Sequence, residues 1–248
     1  ACLGSKGTFS LSASDTSDKN RVKSRLKKFI TRRPSLKTLQ EKGLIKDQIF
    51  GSHLHTVCER ENSTVPWFVK KCIEAVEKRG LDADGIYRVS GNLATIQKLR
   101  NFFSCSISPR VFPEEKLNLD DSQWEDIHVV TGALKMFFRE LPEPLFPYSF
   151  FEPFVEAISK IETIKSLVQK LPPPNRDTMK ALFGHLTKIV AKASKNLMST
   201  QSLGIVFGPT LLRAENETGN MAVHMVYQNQ IAELMLSEYS KIFDSEED

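Results

Sequence analysis

The sequence has 248 residues, 40% hydrophobic and 26% charged, an ordinary globular mixture with apolar side chains enough for a sizeable core. No run reaches the roughly 18 apolar residues of a membrane helix; the polar, small first residues hold no signal peptide, and a start at Ala1 suggests a piece of a longer protein. The net charge of +4 is uneven: residues 1–46 hold 12 Lys and Arg against three acids, a net +9, leaving 22 against 27, a net −5, so the main body gives no reason to expect nucleic-acid binding.

Residues 1–18, rich in Ser, Thr, Gly and Asp, are expected to be disordered. From Lys19 to Lys37 nine basic residues occur with no acidic one, and Val22, Leu26, Phe29 and Ile30 have helical spacing. This stretch reads either as a short amphipathic helix on anionic lipid or an acidic partner, or as a solvated linker, the reading preferred. The chain therefore divides into a basic linker over 1–46, a folded domain over 47–243 and an acidic tail over 244–248. Cys2, Cys58, Cys72 and Cys105 form no CxxC pair and share no metal-ligand spacing with the five histidines. Reduced thiols in the cytosol, without disulfide or zinc, are the expectation.

Beyond about Leu36 the pattern is helical nearly throughout. Thr64-Val65-Pro66 reads as an N-cap with proline in the first turn, followed by Phe68, Val69, Cys72, Ile73 and Val76 on a buried face. A second helix runs from about Asn92 with Leu93, Ile96 and Leu99 inward, and a third from about Gln123 to Arg139 with Ile127, Val130, Leu134 and Phe137 inward. Leu141-Pro142-Glu143-Pro144 stops it, because proline lacks the backbone donor and clashes with the preceding turn. A helix or pair over Tyr148–Leu171 ends at Pro172-Pro173-Pro174; Asn175 can cap the next, with Met179, Leu182, Leu186 and Ile189 inside. A short helix near Ser199–Phe207 should end at Gly208-Pro209, and a last long one from about Asn220 carries Val223, Val226, Tyr227, Ile231, Leu234 and Tyr239. Period-two alternation is scarce, so no sheet is predicted. The fold class is all-α, with about eight or nine helices.

There is no GxxxxGK(S/T), GxGxxG, HExxH or GxSxG, so the chain should not cradle a nucleotide itself. Three constellations remain. Asp84-Gly85-Ile86-Tyr87-Arg88-Val89-Ser90-Gly91 is a loop between two well-marked helices, its glycines giving backbone freedom while Ile86 and Tyr87 can anchor it, which would hold one long cation outward. Lys135 and Arg139, at i and i+4, lie about 100° and 140° round from Leu134, a cationic ridge bordering the apolar stripe. Leu203-Gly204-Ile205-Val206-Phe207-Gly208-Pro209-Thr210 allows close packing and presents the Thr210 hydroxyl at a bend. Taken singly, these features describe an exposed loop arginine, a solvated charged flank and a helix-ending turn.

Together and in this order the segments resemble the Rho-GAP (Bcr-homology) family, over Gly85–Gly91, over Ala133-Leu134-Lys135 continuing to Phe138-Arg139-Glu140-Leu141-Pro142-Glu143-Pro144-Leu145, and over Val206-Phe207-Gly208-Pro209. The likeness covers about Phe50 to Phe243, and the lead-in from Arg32 to Gly51 looks like the subgroup with an upstream pleckstrin-homology domain, whose members also carry SH3 or WW modules. The resemblance implies a GTPase-activating protein for Rho-family small GTPases, with Rac favoured and Cdc42 or Rho as alternatives. Arg88 then falls on the arginine finger, Lys135 and Arg139 on the basic residues that support it and contact the GTPase, and Thr210 where many relatives have Asn as a polar contact. No cofactor is implied, since GTP and Mg²⁺ belong to the partner. A cytoplasmic monomer is the expectation, with contact to an anionic membrane surface through residues 19–37 as the alternative to a solvated linker. The alternative from another class is a binding-only module that docks on a GTPase without accelerating it. Two departures stand out: the stretch 101–113 is longer and more apolar than the usual connector, and the region from Ile158 to Lys165 is short. Phe102, Phe103 or Phe112 would be a liability if exposed.

Overall fold

Helices follow one another from Leu54 to Phe243 in the computed structural model, which describes residues 49–104, 118–213, 215 and 221–244. The expectations for residues 1–46, for Cys2 and Cys105, for the apolar connector beyond residue 104 and for residues 245–248 of the tail lie outside the described residues. Among those described there are eleven α-helices, two short 3-10 turns and no strand. They are α1 (Leu54–Arg60), α2 (Trp67–Arg79), α3 (Leu93–Ser104), α4 (Ile127–Glu140), α5 (Phe151–Glu156), α6 (Ile161–Lys170), α7 (Pro173–Val190), α8 (Ala193–Asn196), α9 (Thr200–Leu211), α10 (Met221–Ser237) and α11 (Tyr239–Phe243). The count exceeds eight or nine because α5, α8 and α11 are each six residues or fewer, too short to print a periodic stripe. No helix among the described residues is long and apolar enough to cross a membrane.

The helix faces are largely the expected ones. Phe68, Val69, Cys72 and Val76 of α2 are buried, as are Met179, Leu182, Leu186 and Ile189 of α7. Helix α4 is buried nearly all round, adding Val129, Ala133, Lys135 and Phe138 to the expected stripe, because α2, α3 and α9 all pack against it. Phe50, Phe68, Phe103 and Phe137 form an edge-to-face cluster with centroids 4.6–5.8 Å apart along Phe103–Phe68–Phe50–Phe137. Each such ring contributes about 1.5–3 kcal/mol through burial. Phe103 is thus core; Phe102 packs edge-on to it but stays 37% exposed.

Several boundaries differ from expectation. Thr64 does not cap α2: Pro66 is the N-cap, and the Glu61 carboxylate accepts from the Trp67 amide at 2.6 Å. Asn175 lies inside the first turn of α7, which begins at Pro173, and its amide donates to the Leu145 carbonyl at 2.8 Å. Three prolines there open the helix, the place where a missing donor costs nothing. Leu93 is 65% exposed because it is the first residue of α3, before the helix meets its neighbours. Val223 and Val226 are exposed as well; the inward face of α10 is Gln228, Ile231, Ala232, Met235 and Leu236.

The largest difference is α9, which runs through Gly208 and Pro209 to Leu211 instead of ending at Phe207. Tertiary packing overrides local propensity. A Cβ on Gly204 would lie 2.9 Å from the Asn229 carbonyl oxygen, and one on Gly208 would lie 2.7 Å from backbone atoms of Gln228. Two glycines four apart therefore bring the backbones of α9 and α10 into contact. Pro209 removes the donor to the carbonyl of Ile205, a residue 57% exposed and so on the side of α9 that faces water.

Candidate functional site

The loop between α2 and α3 is built by a sequence of tight backbone bonds. Ile86 N donates to Ala83 O at 3.2 Å, and Arg88 N and Val89 N both donate to Gly85 O at 2.8 Å. Gly85 sits at φ +61°, as a turn of this kind demands, but so does a bulky residue: Tyr87 is at φ +68°. A left-handed non-glycine residue costs about 1–2 kcal/mol, so its surroundings must hold it there. Gly91 closes the loop for a different reason. A Cβ there would sit 2.5–2.7 Å from backbone atoms of His128 and Val129, so only glycine lets the loop lie against the first turn of α4.

The hold on Tyr87 comes from three sides. Its ring is fully buried, edge-on to Phe207 at 5.1 Å and to His185 at 5.8 Å. Its hydroxyl lies 2.7 Å from His185 Nε2. Its carbonyl accepts from the Lys135 ammonium. A further bond secures the start of the loop, where Gly85 N donates to Asn196 O at 2.8 Å. Asn196 is itself fully buried, its amide donating to Leu81 O and Ile189 O at 2.8 Å each and its Oδ1 accepting from Met198 N at 2.9 Å.

Arg88 differs from everything beneath it. Its side chain is 53% exposed, and its nearest charged partner is Asp84 at 4.0 Å, itself 74% exposed. The guanidinium lies back over its own loop, since a Cβ on Gly85 would meet Arg88 Nη2 at 3.4 Å. A surface contact of that length is worth well under 1 kcal/mol, so little opposes extension of the side chain.

Lys135 is 7% exposed, and burial, aided by the neighbouring Arg139 cation, lowers its ammonium from 10.5 to about 8. Its place is therefore under the loop, not at the surface. Arg139, one turn on, is exposed, and its Nε donates to Thr210 Oγ1 at 3.4 Å. Thr210 is only 1% exposed; its hydroxyl donates to Val206 O at 3.0 Å and accepts from Arg139. In this structure the Thr210 hydroxyl is turned to Arg139 and away from solvent, because α9 continues through the expected bend.

The four residues singled out from the sequence are thus tied into one run: Arg88 on the loop, Lys135 beneath it, Arg139 a turn away on α4, and Thr210 on α9. Sequence reasoning missed Asn196, His185 and Arg213. Arg213 donates from Nη1 to Arg139 O at 2.8 Å and from Nη2 to Leu141 O at 2.5 Å, satisfying the last carbonyls of α4. No local spacing announces any of the three, since their partners are 72–115 residues away except where Asn196 meets Ile189 and Met198.

The chain is 84% identical over 243 residues to Rho GTPase-activating protein 15 of Mus musculus, covering 96% of this chain and 49% of that protein. It is 58% identical over 241 residues to Rho GTPase-activating protein 12 of Homo sapiens, covering 95% of this chain and 28% of that one. The chain accordingly spans half or less of the length of these relatives. Among solved structures, that of human Rho GTPase activating protein 15 superposes with a TM-score of 0.77 at 87% identity, covering 85% of this chain and 99% of that one. The BH domain from GRAF, the GTPase regulator associated with focal adhesion kinase, gives 0.63 at 36% identity, covering 72% and 93%. Residues 66–216, which hold the buttressed loop, both basic residues of α4 and Thr210, match the RhoGAP domain, and the chain belongs to that family.

Proposed function

We propose that this chain activates Rho-family GTPases by extending Arg88 into the nucleotide site of a GTP-bound partner. The observation that carries the reading is a loop clamped at Tyr87 and Gly85 that presents one unclamped guanidinium. Transfer of the terminal phosphoryl group to water builds charge on the oxygens around the β–γ bridge. A guanidinium delivered in trans neutralises that charge, and such fingers contribute roughly 10³–10⁵-fold in rate. Arginine suits the task because its planar, permanently charged fork bridges several oxygens, whereas a lysine presents a single point charge. In this scheme the GTPase supplies GTP, Mg²⁺ and the residue that orients water, and the activator needs no cofactor.

The geometry supports three further roles in this reading. Lys135 acts from below, on the Tyr87 carbonyl, and Arg139 is the exposed cation left to meet the partner. Thr210 acts through Arg139 by fixing its Nε. Resemblance to the subgroup favours Rac over Cdc42 and Rho and an upstream pleckstrin-homology module; a monomeric cytoplasmic activator is the simplest form of this reading, and the nine basic residues between Lys19 and Lys37 would suit an anionic membrane surface as an alternative to a solvated linker.

Single-turnover GTP hydrolysis by Rac, Cdc42 and Rho with this chain and its Arg88→Ala form tests the reading. The substitution should bring the stimulated rate close to the intrinsic one, a loss of roughly 10³-fold or more, while binding to the GTP-loaded partner persists. A stimulated rate that survives in the variant overturns the assignment of Arg88. Binding by the wild-type chain with no acceleration of any of the three would leave the binding-only module.

A further inference from the structure

Beneath the Arg88 loop the buried Tyr87 and His185 and the part-buried Glu77 make one polar line that neither the family match nor the comparisons assign. Tyr87 Oη lies 2.7 Å from His185 Nε2, His185 Nδ1 lies 3.1 Å from Glu77 Oε1, and Glu77 Oε2 accepts from Lys188 at 2.7 Å. His185 is 2% exposed and projects from α7; Glu77 projects from α2.

The direction of each hydrogen bond can be worked out. Burial holds the imidazole below its ordinary range, against the opposing pull of Glu77, so the ring is neutral. Burial alone would raise Glu77, but the hydrogen bonds from Lys188 and His185 outweigh it and keep the carboxyl below its usual range, ionised and accepting. His185 Nδ1–H therefore donates to Glu77, Nε2 is left as an acceptor, and the Tyr87 hydroxyl must be the donor. A histidine held in one tautomer by a carboxylate is a directional acceptor, and it faces the one residue of the loop that is in a strained backbone conformation.

We propose that His185, oriented by Glu77, is a positioning residue for the Arg88 finger: by accepting from the Tyr87 hydroxyl it fixes the ring, and with it the left-handed backbone from which Arg88 springs. The Lys135 bond to the Tyr87 carbonyl secures the main chain, and the His185 bond secures the side chain; the two together define the direction in which the next Cα–Cβ vector points. Phe207 packs on the ring but is apolar, so it resists withdrawal of the ring without fixing its rotation in the pocket. The inference rests on the proposed role of Arg88.

The test is a cycle of Tyr87→Phe, His185→Leu and the double variant, each also made with Arg88→Ala, in single-turnover hydrolysis with the activator varied to saturation. Tyr87→Phe keeps the packing ring and removes one hydroxyl; the double variant removes both partners of that bond, and Glu77, part-exposed and still paired with Lys188, is the only group to lose a donor. The expected result is a maximal stimulated rate lower by about 5–20-fold in all three, which is about 1–2 kcal/mol of positioning at 1.36 kcal/mol per factor of ten. The double variant should lose no more than the singles, the half-saturating concentration should change by less than a factor of two, and in the Arg88→Ala background the substitutions should have no further effect. Maximal rates at the wild-type level in Tyr87→Phe and in the double variant refute the proposal. So does a loss of the same size in affinity for the GTP-loaded partner, which would mark a general disturbance of the fold. Should Arg88→Ala alone retain full stimulation, the finger reading itself fails, an outcome read directly from the parent variant.

Discussion

Replacing Lys135 by Met separates what the buried lysine does for the loop from what it costs the fold. Burial holds its ammonium at about 8 instead of 10.5, which at 1.36 kcal/mol per tenfold change in proton affinity amounts to about 3 kcal/mol against the charged, folded form at neutral pH. The sign follows from proton counting. Between about 8 and 10.5 the unfolded chain holds a proton at this site that the folded chain has released, so raising the pH stabilises the fold. With those two values, wild-type stability should rise by about 2 kcal/mol between pH 7 and 9.5 relative to Lys135→Met, which lacks the titrating group. At pH 7 the variant gains from losing the desolvated charge and loses about 1–3 kcal/mol by leaving the Tyr87 carbonyl without its donor, so the two forms should be close in stability there. Urea unfolding of both proteins at a series of pH values measures the difference, with equal m-values confirming a shared transition. Stability curves that run parallel from neutral to alkaline pH would refute the reasoning. The same variant, though sound in fold, should stimulate GTP hydrolysis poorly at pH 7, since nothing then grips the Tyr87 carbonyl.

Two further outcomes test the helix pair that carries Thr210. Gly208→Ala should destabilise the fold by about 1–3 kcal/mol, because its methyl would meet the Gln228 backbone, which cannot turn aside as a side chain could; an unchanged thermal midpoint would contradict the close approach of α9 and α10. Thr210→Val keeps the volume but removes the acceptor for Arg139 Nε, and should weaken binding to the GTP-loaded partner by about 3–10-fold with stability altered by about 1 kcal/mol or less. Equal affinities, measured by titration, would show that Arg139 needs no such restraint.

The stripes on α2, α4 and α7 were legible in the sequence because burial of one helical face repeats every three or four residues and needs no knowledge of what lies opposite. The Asp84–Gly91 loop stood out for a related reason: its glycines and its central arginine are local signals. What escaped depended on distant partners. Nothing near Gly208-Pro209 says that α10 will lie close enough to continue the helix past a proline. Thr64 and Asn175 have the chemistry of caps, but Pro66 and Pro172 occupy those stations instead, and it is Glu61 that accepts from the Trp67 amide. His185 looked like any helix-borne histidine until a tyrosine hydroxyl 98 residues away came within 2.7 Å. The left-handed Tyr87 could not be read at all, since a tyrosine adopts that conformation only where the surrounding structure leaves no alternative.

Because Tyr87 and Gly85 are moored by the fold itself, most of the ordering entropy of the Arg88 loop is spent during folding. What docking must still immobilise there is a single long side chain, whose rotamers cost about 2 kcal/mol to freeze. On the proposed function, encounter with a GTPase would be a meeting of a ready-made surface with one swinging arm, and sequence changes at the arm should register in how fast the phosphate leaves more than in how often the two proteins meet.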